Sequence, residues 1–510
     1  MSRRILILSS FALALFAPAV PSFASDPCAK CAPGPTKNVI LFVGDGMQLA
    51  HEIATSRYLY GRDDALSFHA LPYQGQVATW DVTTYNKYAP QYGKPAYNPW
   101  AIVPRVGYDA ARGGLFPWPM VSTPDESYFK TWYATDSASA ATAWATGWKT
   151  DEGNIAWATG DPADGALKTI AELMRERNDA SIGVVSTVPF THATPAAHVA
   201  HNKNRNNYHA IADEILNVTK PDVVIGGGHP TFGGSQTYIP TALLEAVRAT
   251  AETPDADNPS AEWELAERAA GRDGAHWLLE AAQKAAAHGK KLFGLFGGVG
   301  GNLESPEPHD LPGTPLVTRA SLENPLLKDA TLAALKVLGT NENGFFVMVE
   351  QGDIDWANHA DDFQRMVGTT WDLHEAVRTA MDWVNQPGDG ITWCNTLLVV
   401  TSDHGNSYMR IQKPLGAGDL PTQLGVGSCG YGGPACTYPD KEVTYGTTTH
   451  TNELVRLYAV GQNANLFRRS EGQWYRRTRI LDNTQIFHVM SAATGLELPF
   501  SSRALRLAAQ

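Results

Sequence analysis

The stretch Asn38–Gly46, with the sequence NVILFVGDG, decides the fold class of this chain. It is a short, apolar, β-rich run that ends in the turn formers Gly44-Asp45-Gly46. Similar runs recur along the chain, each followed by polar residues and then by a helical pattern. They are Ser181–Ser186, Pro221–Ile225, Lys291–Phe296, Gly344–Val349 and Thr396–Thr401. Apolar strands that alternate with helices indicate a parallel sheet covered on both faces, so we expect a three-layer α/β/α sandwich with a central, mostly parallel sheet.

The helical periodicity and its interruptions predict one large domain. Helices are expected over Asp164–Arg177, Tyr208–Asn217, Ala275–His288 and Asp362–Asn385. Two regions, near residues 85–129 and 229–316, break the alternation of strand and helix. We expect both to be insertions on a single catalytic domain that spans residues 25–510.

The first 24 residues are typical of a secretory signal peptide. Arg3 and Arg4 form a basic start, Ile5–Phe16 is a short apolar run, and Ser22–Ala24 fits a small-x-small cleavage site. The apolar run is too short to span a bilayer, and no later stretch is long and apolar enough to do so. We therefore expect an exported protein, periplasmic or secreted, without a membrane span.

The composition excludes one function class and leaves the disulfide pairing open. A formal net charge of −12 argues against binding nucleic acid through a basic face. An anionic substrate is still possible, because bound metal ions can reverse the local field. Disulfides are permitted in an exported protein. Among the five cysteines, Cys429 and Cys436 are plausible partners, Cys28 and Cys31 could pair or form a redox motif, and Cys394 is expected to be a free, buried thiol.

Side chains capable of acid–base or metal chemistry follow four of the predicted strands. Ligand sites in open α/β sheets form beyond the carboxyl ends of the strands, so these side chains are expected at one edge. Asp and His are ligands for Zn²⁺, and a carboxylate-rich subset suits Mg²⁺. Two metal ions ~4 Å apart would support in-line displacement at phosphorus. The residues are Asp45, His192, Thr194, Glu350, Asp353, Asp355, His359, Asp403 and His404.

A nucleophile and an anion clamp are also present in the sequence. The stretch ATDSASAATAWATG, Ala134–Gly147, indicates a helix of small residues that starts at Asp136-Ser137. A helix start favours an anion, and a metal ion beside Ser137 would lower the pKa of its hydroxyl. Arg205 could bind two phosphoryl oxygens with its guanidinium group. Phosphoryl transfer is therefore the reaction that these residues indicate.

The sequence resembles the alkaline phosphatases over nearly all of the mature chain. The resemblance is carried, in the family's order, by NVILFVGDGM, YATDSASAATAWATGWKT, VVSTVPFTHATPAAHVAHNKNR, FFVMVEQGDIDWANHADD, LLVVTSDHG and THTNEL. It implies that Ser137 becomes a phosphoserine, that Asp136 holds Arg205, and that phosphate monoesters are hydrolysed. It implies a homodimer and three metal sites: zinc at Asp355, His359 and His450, zinc at Asp45, Asp403, His404 and Ser137, and Mg²⁺ at Asp45, Thr194 and Glu350.

Two positions differ from the enteric bacterial members of the family. His192 stands where those enzymes have aspartate, and Trp356 stands where they have lysine; both lie among the substrate-binding residues that the resemblance implies. A neutral imidazole supplies less charge for Mg²⁺, so the third site could take Zn²⁺. The alternatives are a phosphodiesterase of the same superfamily and a metal- or phosphate-binding protein without turnover. The sulfatase pattern is absent, because Cys31-Ala-Pro33 lacks the arginine that it requires.

Overall fold

The computed structural model describes residues 26–93, 95–98, 133–425, 429–430, 433–472 and 479–496. The predicted signal peptide and residues 94 and 99–129 of the first predicted insertion lie outside the described residues. All six predicted strands are present, as Asn38–Gly44 (β1), Ser181–Pro189 (β3), Val223–Gly227 (β4), Lys291–Leu295 (β6), Phe345–Gln351 (β9) and Thr396–Thr401 (β10).

These strands belong to one sheet, whose other strands are Tyr73–Ala78 (β2), Trp263–Glu267 (β5), Val455–Gly461 (β15) and Leu481–Asp482 (β16). The order of the strands in the sheet is β16-β2-β15-β10-β1-β9-β3-β4-β6-β5. Only β15 runs antiparallel to its neighbours within the described sheet. The remaining strands form two-stranded pairs and are Glu307–His309 (β7), Leu316–Thr318 (β8), Gly405–Asn406 (β11), Arg410–Ile411 (β12), Val443–Thr444 (β13) and His450–Thr451 (β14).

Helices cover both faces of the sheet, which confirms the three-layer sandwich. Along β1, Val39, Leu41 and Val43 pack into one apolar core, whereas Ile40 and Phe42 pack into the other. The first core lies under Ser137–Thr146 (α3), Ile170–Asn178 (α4), Ala193–Val199 (α5) and Thr484–Ala493 (α13); the second lies under Leu49–Tyr60 (α1), Gly274–His288 (α8), Leu327–Leu338 (α9) and Phe363–Val384 (α11). The further helices are Val82–Tyr88 (α2), Tyr208–Asp213 (α6), Thr241–Thr250 (α7), Asp353–His359 (α10) and Leu466–Ser470 (α12).

The bounds of two helices differ from the prediction by more than one residue. The helix expected from Asp164 begins at Ile170, because Thr169 and Glu172 form a capping box there. The helix expected over Tyr208–Asn217 is α-helical to Asp213 and continues as a π-helix over Glu214–Thr219.

None of the helices in the described ranges has the length and apolar character needed to cross a bilayer.

The second predicted insertion, 229–316, contributes to the main sheet. It contains β5 and β6, which pair in parallel, and the helix Gly274–His288 packs on them. The division into one catalytic domain with two insertions stays a prediction, but this segment is part of the core and is not an appendage to it.

The disulfides differ from the cysteine prediction in two respects. Cys429 pairs with Cys436, as expected. The prediction of a free Cys394 is wrong, because Cys394 pairs with Cys31. The suggested pairing of Cys28 with Cys31 is wrong for the same reason, and Cys28 is the free thiol. The reason is the sheet register: β1 and β10 are parallel neighbours that start together at Asn38 and Thr396, so the residues before them lie side by side.

Candidate active site

The predicted nucleophile lies at the start of the helix Ser137–Thr146. Asp136 is the N-cap residue, and its side chain accepts hydrogen bonds from the Ser139 backbone N–H at 3.0 Å and the Ser139 hydroxyl at 2.6 Å. Every residue of the helix is buried, and Gly147 ends it with a φ of +79°. The small side chains therefore let this helix pack closely in the core, while Ser137 stays at its N-terminus.

Arg205 is held beside Ser137 by the same aspartate. Its Nη1 donates to Asp136 Oδ2 at 2.8 Å, and the Gly153 backbone N–H donates to the same oxygen at 3.1 Å. Burial alone would raise the pKa of Asp136, but Arg205 and Ser139 outweigh burial and lower the pKa below its usual value. Asp136 thus stays ionised and fixes the guanidinium group next to the serine.

A first cluster of Asp and His side chains surrounds the Ser137 hydroxyl. His404 Nε2 lies 3.3 Å from Ser137 Oγ, 3.1 Å from Asp403 Oδ2 and 3.5 Å from Asp45 Oδ1. Asp45 Oδ1 and Asp403 Oδ2 are buried and have no hydrogen-bond partner among the described residues. These atoms converge on one point, which is the arrangement that a metal ion needs.

A second cluster lies next to the first and contains Asp355, His359 and His450. The Nε2 atoms of His359 and His450 lie 3.2 Å and 3.4 Å from the Asp355 carboxylate. Each ring donates its Nδ1–H to a backbone carbonyl, His359 to Thr448 at 2.6 Å and His450 to Thr135 at 2.8 Å. These bonds direct both Nε2 atoms inward, as is usual for metal-binding histidines.

The residues predicted for the third metal site lie directly after β1, at the end of β9 and in the first turn of α5, the helix that follows β3. Glu350 is the penultimate residue of β9, and Ser186 of the neighbouring β3 donates to its Oε2 at 2.5 Å. The Thr194 hydroxyl is buried and has no partner in the described part of the chain. Burial raises the pKa of Glu350 to about 7. Asp353, by contrast, is already paired with Arg365 at 2.6 Å and is not a member of these clusters.

The carboxylate of Asp45 is not fully compensated by positive charge. Burial, followed by the charges of Asp403, Asp355 and Glu350, raises the pKa of Asp45 well above its usual value. Acids placed this closely in a buried site require either protons or cations. The orphaned oxygens, the inward-facing imidazoles and this charge imbalance all fit divalent metal ions. A third group, Asp362 with Cys429 and Cys436, does not fit, since its sulfur atoms are bonded to each other.

Most of the predicted residues line a single cleft of about 1020 Å³. The exceptions are Asp353, which is paired with Arg365, and Asp403 and His404, which lie buried next to Ser137 and Asp45. His192 and Trp356 form part of one wall, with Tyr208 and Tyr238 beside them. Burial, with Arg205 second, lowers the pKa of His192 to about 3, so this ring is neutral at physiological pH.

Sequence reasoning missed three residues of this site. Tyr208 lies three residues after Arg205, and that short spacing is a signal that could have been used. Asn406 donates its Nδ2 to Asp355 Oδ1 at 2.6 Å, and it lies two residues after His404. Tyr238 is more than thirty residues from the nearest motif, and only the fold brings it to the cleft.

The three-layer sandwich and the clustered Asp and His side chains at the carboxyl ends of its strands define an α/β protein with a candidate metal centre. More specifically, the chain belongs to the alkaline phosphatase family, whose profile, described as alkaline phosphatase, matches residues 119–414. This range is more than half of the chain.

Curated relatives and solved structures agree with this assignment. The chain is 29% identical over 503 residues to an alkaline phosphatase of Escherichia fergusonii, covering 91% of this chain and 87% of that protein. It is 27% identical over 532 residues to a streptomycin-6-phosphate phosphatase of Streptomyces griseus, covering 97% and 98%. The alkaline phosphatase of the Antarctic bacterium TAB5 has the same fold, with a TM-score of 0.56, 21% identity, and coverage of 91% and 100%. A histidine-to-aspartate variant of the TAB5 enzyme has Mg bound in its M3 site.

Proposed function

We propose that this protein is an exported alkaline phosphatase that hydrolyses phosphate monoesters through a phosphoserine at Ser137, as a homodimer. The observation that carries the proposal is the position of the Ser137 hydroxyl. It lies at a helix N-terminus, 3.3 Å from His404 Nε2, and the adjacent Asp136 holds Arg205 beside it. A nucleophile, an anion clamp and metal ligands thus meet at one point of the cleft.

Three metal sites fit the clustered residues. Asp355, His359 and His450 would hold one Zn²⁺, and Asp45, Asp403, His404 and Ser137 would hold a second. Asp45, Thr194 and Glu350 would hold Mg²⁺, with Zn²⁺ as the alternative because the neighbouring His192 brings no negative charge. When bound, such ions lower the pKa of a hydroxyl and stabilise negative charge on the entering and leaving oxygens.

The chain's own residues then account for a two-step displacement. Arg205 binds the non-bridging phosphoryl oxygens, and its bond to Asp136 fixes the phosphorus in line with Ser137 Oγ. Ser137 Oγ loses its proton and attacks phosphorus, the ester P–O bond breaks, and the alcohol leaves with a proton. Water then attacks the phosphoserine, which releases phosphate and returns the proton to Ser137. The free N–H groups at the start of the helix favour the anion in both steps.

Trapping of the phosphoenzyme tests the proposal. Wild-type protein loaded with zinc and magnesium and quenched in acid after mixing with ³²P-labelled substrate should carry label on Ser137. Ser137→Ala should carry none and should keep its metal content, whereas the control Ser139→Ala should still be labelled. Label that persists in Ser137→Ala would overturn the role of Ser137.

A matched pair of substrates separates the proposal from its alternatives. We expect p-nitrophenyl phosphate to be hydrolysed faster than bis-p-nitrophenyl phosphate. Faster hydrolysis of the diester would indicate a phosphodiesterase, and no turnover of either by the metal-loaded protein would indicate a binding protein. Sedimentation of the same sample tests the homodimer.

A further inference from the structure

Four aromatic rings contact one another in the lining of the cleft that contains Ser137. His192 lies at the centre: its ring stacks on Tyr208 at 5.3 Å with an interplanar angle of 11°, and it contacts Tyr238 at 5.4 Å and Trp356 at 6.1 Å. Tyr208 and Tyr238 are 4.9 Å apart. We call this cluster the aromatic wall. It lines the same cleft as Ser137 and Arg205.

The aromatic wall adjoins the predicted reacting residues along the chain. Trp356 follows the predicted zinc ligand Asp355, and Tyr208 follows Arg205 by three residues. Asn206 and Gln236, each two residues before a tyrosine of the wall, are exposed and line the same cleft. A molecule with its phosphate at Ser137 therefore has aromatic faces and amide groups available within one cleft.

Tyr238 is fixed in place by two glycine-rich segments of the chain. A Cβ atom on Gly301 would lie 2.5 Å from the Tyr238 ring, and one on Gly228 would lie 3.0 Å from Tyr238 Cβ; both glycines have positive φ. The Tyr238 hydroxyl donates to the Gly300 carbonyl at 3.0 Å. The glycines leave the space that the ring occupies, so the segment 229–316 presents a rigid side chain to the cleft.

We propose that the aromatic wall binds the alcohol part of the substrate and selects phosphate monoesters that carry a flat aromatic ring, with a nucleoside 5′-monophosphate as the best fit. This inference rests on the proposed function, because it requires the phosphate at Ser137. Base–aromatic stacking accounts for the preference, and the amides of Asn206 and Gln236 supply donors and acceptors for the edge of a base. The cleft volume, about 1020 Å³, is large enough for a nucleotide.

The test compares substrates whose leaving alcohols have the same chemistry. Adenosine 5′-monophosphate and ribose 5-phosphate both release a primary C5 alcohol, so a difference in kcat/KM reports binding of the base. We expect kcat/KM to be about tenfold higher for adenosine 5′-monophosphate, which is the lower part of the range for stacking on aromatic side chains. A second pair, benzyl phosphate and cyclohexylmethyl phosphate, separates the effect of a flat aromatic ring from that of an apolar group of similar size. Comparing benzyl phosphate with adenosine 5′-monophosphate separates a simple aromatic ester from a nucleotide.

Variants of Tyr238 test whether the aromatic wall causes the preference for adenosine 5′-monophosphate over ribose 5-phosphate. Tyr238→Leu should lower the ratio of kcat/KM for adenosine 5′-monophosphate to kcat/KM for ribose 5-phosphate at least threefold. Tyr238→Phe keeps the ring and should retain the wild-type ratio. Phe232→Leu is the matched control, since this ring lies in the same segment but contacts His229 and Arg268 outside the cleft lining. Thermal unfolding of each variant verifies that it is folded.

The outcomes separate this inference from the proposed function. A wild-type ratio near one for both substrate pairs overturns the inference and leaves the phosphatase proposal intact. A preference for benzyl phosphate without one for adenosine 5′-monophosphate overturns the nucleotide assignment. Loss of the preference in Phe232→Leu as well as in Tyr238→Leu overturns the role of the wall. Absence of Ser137-dependent hydrolysis of all four esters instead refutes the proposed function.

Discussion

Replacing Cys394 with serine should lower the free energy of unfolding by about 3 kcal/mol without changing the chemistry of the site. The Cys31–Cys394 disulfide joins residues 363 apart in sequence. In the chain-entropy model, a loop of that length gives an upper bound of about 6 kcal/mol, because the bridge restricts the unfolded chain. Measured effects of native disulfides are smaller, about 2–5 kcal/mol, which sets our expectation.

The site should be unaffected because the disulfide lies at the opposite end of the sheet. Cys394 precedes β10, whereas Asp403 and His404 follow it. The six residues of β10 span roughly 20 Å at the usual rise of a strand. We therefore expect kcat/KM for p-nitrophenyl phosphate at 25 °C to stay within twofold of the wild-type value.

Urea unfolding followed by tryptophan fluorescence measures the effect. Cys394 is the residue to replace, because Cys28 Sγ donates to the Trp393 carbonyl at 2.8 Å and is close enough to pair with Cys394 if Cys31 were removed. Cys28→Ser is the matched control and should unfold at the wild-type urea concentration. A loss below about 1 kcal/mol, or a severalfold fall in kcat/KM, would refute the reasoning.

Three further predictions concern the clamp, the metal ions and pH. Arg205→Lys should raise the inhibition constant of inorganic phosphate about tenfold, because an ammonium group cannot bind two oxygens as a guanidinium does; competition kinetics measures it. Removing metal ions with a chelator should abolish turnover and lower the thermal midpoint, and added Zn²⁺ with Mg²⁺ should restore both. Glu172 and Glu214 outweigh the effect of burial and raise the pKa of His201 to about 9, so the stability that this pairing contributes is complete below pH 6.5 and is lost as pH rises through 9. The fall, about 2 kcal/mol, should be absent in His201→Gln when urea midpoints are compared across that pH range.

The central strands and the ligand-bearing edge could be predicted from the sequence for a physical reason. A parallel strand buried on both faces is apolar throughout, so β1, β9 and β10 are visible as continuous runs. Their carboxyl ends meet at one edge, which brings Asp45, Glu350 and Asp403 together independently of the conformation of the loops between them.

The strands β2, β15 and β5 and the aromatic wall could not be predicted in this way. The strand β2 alternates between buried and exposed residues, and Arg456 shortens the apolar run of β15 to Leu457–Val460. The strand Trp263–Glu267 lies in a segment with helical character, and its pairing with β6 decides its conformation. Tyr238 and the Cys31–Cys394 pair depend on contacts between distant segments, which no local pattern encodes.

The negative charge of the buried aspartates at the candidate site links the folding of this protein to its function. Asp45, Asp355 and Asp403 lie in the core at the ends of three adjacent strands, β1, β9 and β10, and the sheet register leaves them no room to separate. His359 and His450 outweigh burial and hold the pKa of Asp355 well below its usual range, whereas burial and the neighbouring acids raise the pKa of Asp45. Divalent cations would remove that imbalance, so metal binding should stabilise the fold through the same atoms that it uses for catalysis. For this reason the chelation experiment has two readouts. Retention of both activity and stability would contradict the metal assignment, whereas loss of activity without loss of stability would contradict the link between metal binding and folding.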